Sequence, residues 1–282
     1  MKNNPKVSIV IPTYNRLNEL AELMESLSQQ TYKNFEVIIV NDCGDSIEVL
    51  STLYPELEMT IINLKENMHH VYARNVGVTK AKGEFIMLID DDDLIVPTHI
   101  ETMMNAIKGH DLVYSDVEII DYDENAMIGR IAITRKLFAY TYDLEEMKKF
   151  STFVPSGCLY RNEIHQTIGL FDEEVRNYWD WDFFLRVAEN FKVNRVNYAS
   201  VLYSFSQHGN NQSKDLEKMR NYLNILSEKH NLGFLPTKNF FLLLEEPQLK
   251  AREARSNIVW DGEPILSRLA HMEYEGKRKI AY

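Results

Sequence analysis

Four consecutive aspartates, Asp90 to Asp93, are the residues of this sequence best suited to do chemistry. Neighbouring carboxylates repel one another and raise each other's pKa unless a cation or hydrogen-bond donors share the negative charge. Carboxylate oxygens are hard ligands that suit Mg²⁺ or Mn²⁺, which proteins often bind together with a substrate phosphate. A solvated acidic turn is the alternative, since aspartate is a favoured residue at a helix start. The aspartates alone leave both interpretations open.

The residues before the aspartates predict the element that positions them. Phe85 to Ile89 are all apolar, and such a run is typical of a parallel strand covered on both faces. Apolar strand patterns alternate with helical patterns from Val7 to about Lys108. This alternation predicts a parallel sheet with right-handed crossovers. Ligands of such sheets bind just beyond the carboxyl ends of the strands.

Polar residues recur where this sheet should present its carboxyl edge, at 13–16, 41–42 and 90–93. One polar strand end is routine, whereas three on neighbouring strands predict a ligand cleft. The ligand should have an aromatic or apolar part that contacts Tyr14. It should also have anionic groups that bind a metal ion and Arg74. A nucleoside diphosphate meets both demands. The alternative is that these loops are polar without sharing a ligand.

Composition excludes several classes of protein. The chain has 282 residues, 45% of them hydrophobic and 26% charged, which is an ordinary globular profile. Its net charge of −11 argues against a nucleic-acid partner. Two cysteines, no signal-peptide pattern and no apolar run of about 20 residues favour a cytoplasmic protein without a transmembrane segment. Work at the inner face of a membrane, through peripheral contact, stays open.

Seven spaced motifs resemble the family-2-type glycosyltransferases with the GT-A fold: VSIVIPTYNR, FEVIIVND, ARNVG, GEFIMLIDDDD, VPSGCLYR, IGLFDE and WDWDFFLRVAE. The resemblance covers about residues 5–213. It implies an α/β fold with a Rossmann-like nucleotide-binding half (1–110) and an acceptor-binding half (111–213) on one mostly parallel sheet. Residues 214–282 would follow as a helical extension. It also implies sugar transfer from a nucleotide-diphosphate donor, UDP in preference to dTDP, usually with inversion.

The resemblance assigns the nucleoside to the first two strand ends. Pro12, Thr13 and Tyr14 would line the base, with the Tyr14 ring against it. Asp42 matches the second acid of a paired-aspartate motif and would accept the pyrimidine N3–H. Asn41 stands where the family has the first aspartate of that pair.

The resemblance assigns the diphosphate and a Mn²⁺ or Mg²⁺ cofactor to the aspartate run. Asp92 would bind the metal, and Asp90 or Asp91 would reach the ribose or a metal-bound water. His208, in the last motif-like stretch, would be a second metal ligand or a diphosphate donor. Arg74 would bind phosphate, or alternatively brace the aspartates through an ion pair.

The acceptor side follows from the later motifs. Asp180 matches the acid that serves as catalytic base, whereas Trp179 replaces the glutamate expected before it. Trp179 and Trp181 would stack on an acceptor sugar, although either could belong to the core. The turn at Ser156 and Gly157 would lie beneath the acceptor. That acceptor is expected to be a saccharide or lipid-linked saccharide of a cell-surface polymer.

Several expectations concern residues outside the assigned site. Asp93 and Asp182 are expected to be structural, each as a helix cap. Residues 214–282 contain helical patterns and the apolar run FFLLL at 240–244. Packing of this extension on its own domain is the default, and a homo-oligomer contact or contact with a membrane-bound acceptor are the alternatives.

Three other functions fit the sequence less well. A sugar-nucleotide pyrophosphorylase would have a glycine-rich phosphate loop after the first strand, and residues 12–16 contain no glycine. A non-catalytic nucleotide-sugar-binding module would not need both Asp92 and Asp180. A calcium loop of the EF-hand type would need glycine and glutamate at spacings that the aspartate run lacks.

Overall fold

The computed structural model describes residues 6–123, 129–205, 216–237 and 240–272. Its strands are β1 Val7–Thr13, β2 Phe35–Asn41, β3 Met59–Asn63, β4 Phe85–Leu88, β5 Leu94–Ile95, β6 Leu112–Tyr122, β7 Ala132–Phe138, β8 Leu159–Arg161, β9 Val193–Ser204 and β10 Asn257–Ile258. Its helices are α1 Leu17–Ser28, α2 Val49–Leu53, α3 His69–Lys80, α4 His99–Ala106, α5 Leu144–Met147, α6 Ile164–Ile168, α7 Trp179–Asn190, α8 Leu216–His230, α9 Phe240–Leu244 and α10 Pro247–Lys250.

One sheet runs through the molecule in the order β10-β9-β6-β8-β4-β1-β2-β3. The strands β4, β1, β2 and β3 are parallel, as are β6, β9 and β10. Between the two parallel groups, β8 is antiparallel to both of its neighbours. The expected α/β architecture with a mostly parallel sheet is confirmed.

The apolar runs of the central strands follow from burial on both faces. All seven residues of β1 are buried. Ile9 and Ile11 pack in a cluster with Leu20 of α1, whereas Val10 packs with Val78 of α3 in another cluster. Alternate residues of the strand therefore face different helical layers, which accounts for the lack of polar alternation.

The parallel register places the strand ends at one edge of the sheet. Thr13 pairs with Asn41 across β1 and β2, and Val10 pairs with Leu88 across β1 and β4. The loops that follow β1, β2 and β4 consequently start side by side. The residues 13–16, 41–42 and 90–93 meet there, as the sequence predicts.

The second half of the sheet differs from the sequence-based prediction in two places. The apolar pattern of the sequence predicts two short strands, at 193–197 and 201–206, whereas residues 193–204 form one strand. Its pairing with β6 shifts register around Asp116, so the strand bends without ending. The sequence also predicts an edge strand at 127–133 that pairs with the strand at 112–121; a strand pairs there with β6, but it lies at Ala132–Phe138.

The region after residue 214 is helical over α8, α9 and α10, as predicted, and also contributes a strand. Asn257 and Ile258 form β10, which pairs in parallel with Tyr198 and Ala199 of β9. Within the described ranges, no helix is long and apolar enough to cross a membrane.

Candidate active site

The aspartate run forms the loop between β4 and β5, and residues of the first loop hold two of its carboxylates. Thr13 Oγ1 donates to Asp91 at 2.7 Å. Arg16 Nη1 lies 3.2 Å from Asp91 Oδ1 and also pairs with Asp92 Oδ2. Burial and the charge of Asp92 raise the pKa of Asp91 to about 7, although Arg16 and Thr13 act against this rise. The hydrogen bonds and ion pairs of this loop therefore compensate only part of the repulsion between its carboxylates.

Arg74 of α3 braces the same loop from the other side. Its side chain is 4% exposed and pairs with Asp90, which is the ion pair offered by the second interpretation of this residue. The guanidinium carbon lies 4.2 Å from the centre of the Trp179 ring. Nη1 lies 2.7 Å from His70 Nδ1. Burial and the charge of Arg74 lower the pKa of His70 to about 3, so this imidazole is neutral.

Asp93 points into the protein, and the prediction that it caps a helix is wrong. It is fully buried, and it accepts hydrogen bonds from Ser156 Oγ and, at 2.9 Å, from the Ser204 amide. Ser156 Oγ in turn accepts from the Asp90 amide at 3.1 Å. The next helix, α4, begins only at His99. Asp93 thus ties the aspartate loop to the end of β9 and to the 156–157 turn.

The turn at Ser156 and Gly157 lies directly against the aspartate loop. The Gly157 amide donates to the Leu88 carbonyl at 2.6 Å. Gly157 has φ +76°, and a Cβ there would lie 2.5 Å from Val201, so only glycine fits without a rearrangement. Since the polar atoms of Ser156 already have partners within the protein, acceptor binding by this turn stays a prediction.

The proposed nucleoside site is open at Tyr14 and closed at Asp42. Tyr14 is 49% exposed, whereas Thr13 and Asp42 are each 4% exposed. Asp42 Oδ1 accepts from the Met68 amide at 2.7 Å, and the Asp42 amide donates to the Thr13 carbonyl at 2.9 Å. These bonds fix the carboxylate beside the 13–14 loop, and Pro12 lines the same cavity.

Asn41, where the resembling family has aspartate, organises the loop after β2. Its Nδ2 donates to the Asp45 carbonyl at 3.0 Å and lies 3.1 Å from Asn63 Oδ1. Its Oδ1 accepts from the Gly44 amide at 2.9 Å. An ionised carboxylate has no proton to donate, so only an amide makes both kinds of bond here. The departure from the family pattern has a structural reason.

Asp180 lies in the first turn of α7 and is half-buried. Burial raises its pKa to about 6, with a further rise from the charge of Asp90 and an opposing effect of Arg74. Trp179 and Trp181, on either side, are 5% and 6% exposed. Trp181 Nε1 donates to the Met147 carbonyl at 2.8 Å. Little indole surface is open in this conformation, so stacking on an acceptor sugar stays a prediction.

A single cavity of about 880 Å³ joins these groups. Of the residues assigned from the sequence, it is lined by Pro12, Thr13, Tyr14, Asp42, Arg74, Asp90, Asp91, Asp92, Trp179, Asp180 and Trp181. Ser156 and Gly157 lie beneath the aspartate loop instead. His208 lies outside the described residues.

Two arginines at the site were not assigned from the sequence. Arg16 is the last residue of the first polar stretch, 13–16, and this position is the signal that the sequence offers for it. Arg130 Nη1 donates to the Asp92 carbonyl at 2.6 Å, and its Nε pairs with Glu22 at 2.5 Å. Its guanidinium carbon lies 4.7 Å from the centre of the Tyr122 ring. The partners of Arg130 are 38 and 108 residues away along the chain, so no local spacing pointed to it.

The carboxylate ligands available here suit a cation that binds together with a substrate phosphate better than a cation held by the protein alone. Within 6–123, 129–205, 216–237 and 240–272, no group of three or more acidic, histidine or cysteine side chains could hold a metal ion. Asp90 and Asp92 are 32% and 27% exposed at the cavity and supply hard oxygens. Two carboxylates leave the other positions to phosphate oxygens and water, as is usual for Mg²⁺.

Residues 8–169 match the model of the family described as Glycosyl transferase family 2. A Bacillus subtilis (strain 168) protein named "Uncharacterized glycosyltransferase YwdF" is 56% identical over 265 residues, 94% of this chain and 98% of the relative. An "Uncharacterized glycosyltransferase" of Haemophilus influenzae is 26% identical over 241 residues, 83% of this chain and 80% of the relative.

Among solved structures, the fold is similar to that of S. aureus TarS. The crystal structure of TarS 1–349 has a TM-score of 0.61 at 20% identity, over 82% of this chain and 67% of that one. The TarS 1–349 complex with UDP-GlcNAc also has a TM-score of 0.61 at 20% identity, over 88% and 78% of the two chains. This likeness confirms the GT-A-type fold expected from the motifs.

Proposed function

Because the chain belongs to glycosyl transferase family 2, it is a glycosyltransferase, and we propose that it moves a sugar from a UDP-linked donor to an acceptor hydroxyl. The reaction is metal-dependent and inverts the anomeric centre. The acceptor is a saccharide or lipid-linked saccharide, and the reaction takes place in the cytoplasm. The observation that carries the proposal is the single cavity lined by Asp42, Asp92 and Asp180.

The first two strand ends support the assignment of a uracil base. Asp42 is fixed by the Met68 amide at 2.7 Å, and an ionised carboxylate only accepts hydrogen bonds. It therefore matches the N3–H that uracil and thymine present. The half-exposed Tyr14 ring gives the base a surface to stack on. The TarS complexes with UDP and with UDP-GlcNAc favour UDP over dTDP.

Asp90 and Asp92 would hold the divalent cation. When bound, Mn²⁺ or Mg²⁺ would offset the charge that develops on the leaving diphosphate. Arg16 contributes by opposing the rise in the pKa of Asp92 that burial causes, and Arg74 contributes by pairing with Asp90. The same arginines orient the carboxylates before the donor arrives, which reduces the reorganisation needed at the moment of reaction.

Asp180 removes the proton from the acceptor hydroxyl as that oxygen attacks the anomeric carbon. A pKa of about 6 leaves the carboxylate ionised at neutral pH yet more basic than an ordinary aspartate. Direct displacement by the acceptor oxygen inverts the anomeric centre, and the role of Asp180 as base is compatible with that outcome. Positioning of both substrates in one cavity supplies much of the remaining acceleration.

The test is calorimetric titration of UDP with and without Mn²⁺. Wild type should bind UDP in a Mn²⁺-dependent manner, and Asp92→Asn should weaken this binding at least tenfold. Asp172→Asn is the matched control, since Asp172 forms an ion pair with Lys229 outside the cavity. Asp180→Asn should bind UDP like wild type. Equal UDP binding with and without Mn²⁺ would contradict the metal site, and no UDP binding would contradict the donor assignment.

A further inference from the structure

The cavity changes character between the donor end and the end near Asp180. Charged and polar side chains, among them Arg16, Asp42 and Arg74, line the donor end. Five residues of the C-terminal region also line the cavity, and all are apolar: Met219, Leu223, Leu235, Pro236 and Leu243. We call these five residues the extension wall. Met219 and Leu223 lie on α8, which packs against the turn Arg176–Tyr178 that immediately precedes α7, so this part of the wall lies beside the proposed base.

The extension wall offers a ligand no hydrogen-bond partner from its side chains. A saccharide that packed its hydroxyls against these aliphatic groups would lose hydrogen bonds to water without replacement. A hydrocarbon chain has no such loss and gains with every buried methylene group. Apolar surface also continues outward beside the wall, because Phe234 is 85% exposed and Leu242 is 68% exposed.

The positive charges of the cavity already have partners within the protein. Its described lysine and arginine lining residues are Arg16, Arg74 and Lys149, which pair with Asp92, Asp90 and Glu146. A phosphate-rich acceptor would therefore find little compensation there.

We propose that the extension wall is a subsite for an alkyl chain, so that the acceptor is an amphiphile. Its head group carries the reacting hydroxyl at Asp180, and its hydrocarbon lies against Met219 and Leu243. This inference rests on the proposed function and deepens it, because it decides between a free and a lipid-linked acceptor. It also gives the extension wall a role in acceptor selection.

The experiment uses two probes with one head group, n-octyl β-D-glucopyranoside below its micellar concentration and methyl β-D-glucopyranoside. Each is titrated into the full chain saturated with UDP and Mn²⁺. The octyl glucoside should bind at least about 100-fold more tightly than the methyl glucoside, since seven more methylene groups are available for burial. The double variant Met219→Gln/Leu243→Gln should weaken octyl glucoside binding at least tenfold and leave UDP binding unchanged.

The control variant is Ile258→Gln, which removes an apolar side chain that is 54% exposed on β10 and does not line the cavity. It should bind octyl glucoside like wild type. Equal affinity for the two glucosides, or an equal loss in the control variant, would overturn the alkyl subsite. UDP titration of the same samples separates the two proposals: normal UDP binding without preference for the octyl chain refutes the subsite alone.

Discussion

At the scale of single residues, the aspartate loop depends on arginine side chains that compensate its negative charge. Arg74 pairs with Asp90, Arg16 pairs with Asp91 and Asp92, and Arg130 binds the Asp92 carbonyl. Burial raises the pKa values of Asp91 and Asp92 even with these partners in place. Guanidinium groups therefore hold a cluster that would otherwise take up protons, and a bound cation would relieve the remaining repulsion.

The raised pKa of Asp180 predicts the acid limb of the pH profile. A base must be ionised, so kcat should fall as pH drops through about 6, the pKa that burial gives this carboxyl group. Arg74 lowers that pKa, so Arg74→Met should move the acid limb to higher pH. Rates from pH 4.5 to 8.5 would measure both. If the acid limb lies at the same pH in Asp180→Glu and Arg74→Met as in wild type, it reports the titration of another group.

Asp180→Asn keeps the shape of the side chain and removes the base. We expect kcat to fall by about 10²–10⁴-fold, the usual contribution of a positioned general base. UDP affinity should not change, because Asp180 forms no hydrogen bond with the proposed nucleoside residues Asp42 or Tyr14. Steady-state rates and UDP titration of one preparation would separate a lost base from a lost fold. Full activity in this variant would exclude Asp180 as the base.

Arg130 is predicted to position the proposed metal ligand, and the chain contains a matched control. Arg130 pairs with Glu22, donates to the Asp92 carbonyl and lies over Tyr122. Arg135 pairs with Glu118, donates to the Trp260 carbonyl at 3.0 Å and lies over Trp260, away from the cavity. Removing either arginine alone would leave a buried carboxylate unpaired, so each is changed together with its glutamate.

Arg130→Met/Glu22→Gln and Arg135→Met/Glu118→Gln should cost similar stability, as judged from thermal unfolding. Only the first should weaken Mn²⁺-dependent UDP binding, by about tenfold, the lower end of what loss of a ligand's supporting contact costs. Equal UDP affinities in both double variants would show that Arg130 serves stability alone.

Residue types at the strand ends could be predicted from the sequence, whereas their partners could not. The carboxylates follow apolar runs directly, so local order placed Asp42 and Asp90 at one edge. Arg130 reaches Asp92 from a hairpin connection whose path depends on tertiary packing. The sequence predicts Asp93 as a helix cap, because the strand that follows it, β5, has only two residues. A strand of two residues has no pattern that distinguishes it from the start of a helix.

At the scale of elements, a buried carboxylate joins α7 to α8. Asp182 is fully buried and accepts from Arg186 Nε, Lys229 Nζ and His230 Nε2, each at 2.8 Å. It was expected to cap α7, but it serves as an inter-helix ion pair instead. Burial would raise its pKa, yet these partners lower it to about 2. The helix that carries Asp180 is therefore fixed to the C-terminal region.

Asp182→Asn should destabilise the protein by about 3–5 kcal/mol, the usual cost of breaking a buried ion pair. The control, Asp172→Asn, removes a partly exposed pair with the same Lys229 and should cost about 0–1 kcal/mol. Urea unfolding measures both. Because the pKa of Asp182 is lowered on folding, its stabilisation is present at neutral pH and is lost as pH falls from about 4 toward 2. Equal losses in the two variants would contradict this role.

The order of elements could be predicted from periodicity, and their ends only in part. Strands β1, β2 and β4 are apolar on both faces, so continuous runs identified them. Strand β9 was divided at residues 198–200 because a bend interrupts its pattern. The bend is a register shift against β6 at Asp116, and pairing of that kind is visible only in the folded sheet.

At the scale of the whole molecule, the C-terminal region contacts elements near both ends of the strand order. Its strand β10 pairs with β9 at one end of the sheet. Further on, Arg268 donates to the Leu53 carbonyl at 2.7 Å, pairs with Glu56 and lies 4.6 Å from the Tyr54 ring centre. These partners adjoin α2 in the first half of the chain, more than 200 residues away. Such a contact has no local signature in the sequence.

A chain that ends at residue 213 is therefore predicted not to fold cooperatively, although the resemblance to the family covers the chain only to about that residue. Loss of residues 214–282 would remove Leu223 and Leu226 from one core cluster and Leu244 and Leu269 from the other, and would leave the pairing edge of β9 open. Thermal unfolding should give a broad, low transition with dye binding, whereas the full chain should unfold in one step. The control ends at residue 272 and keeps every described contact, so its midpoint should lie well above that of residues 1–213. A cooperative transition at the same temperature for residues 1–213 would instead identify residues 214–282 as a separate unit, and the alkyl subsite would then belong to an appendage that a glycosyltransferase domain can lose.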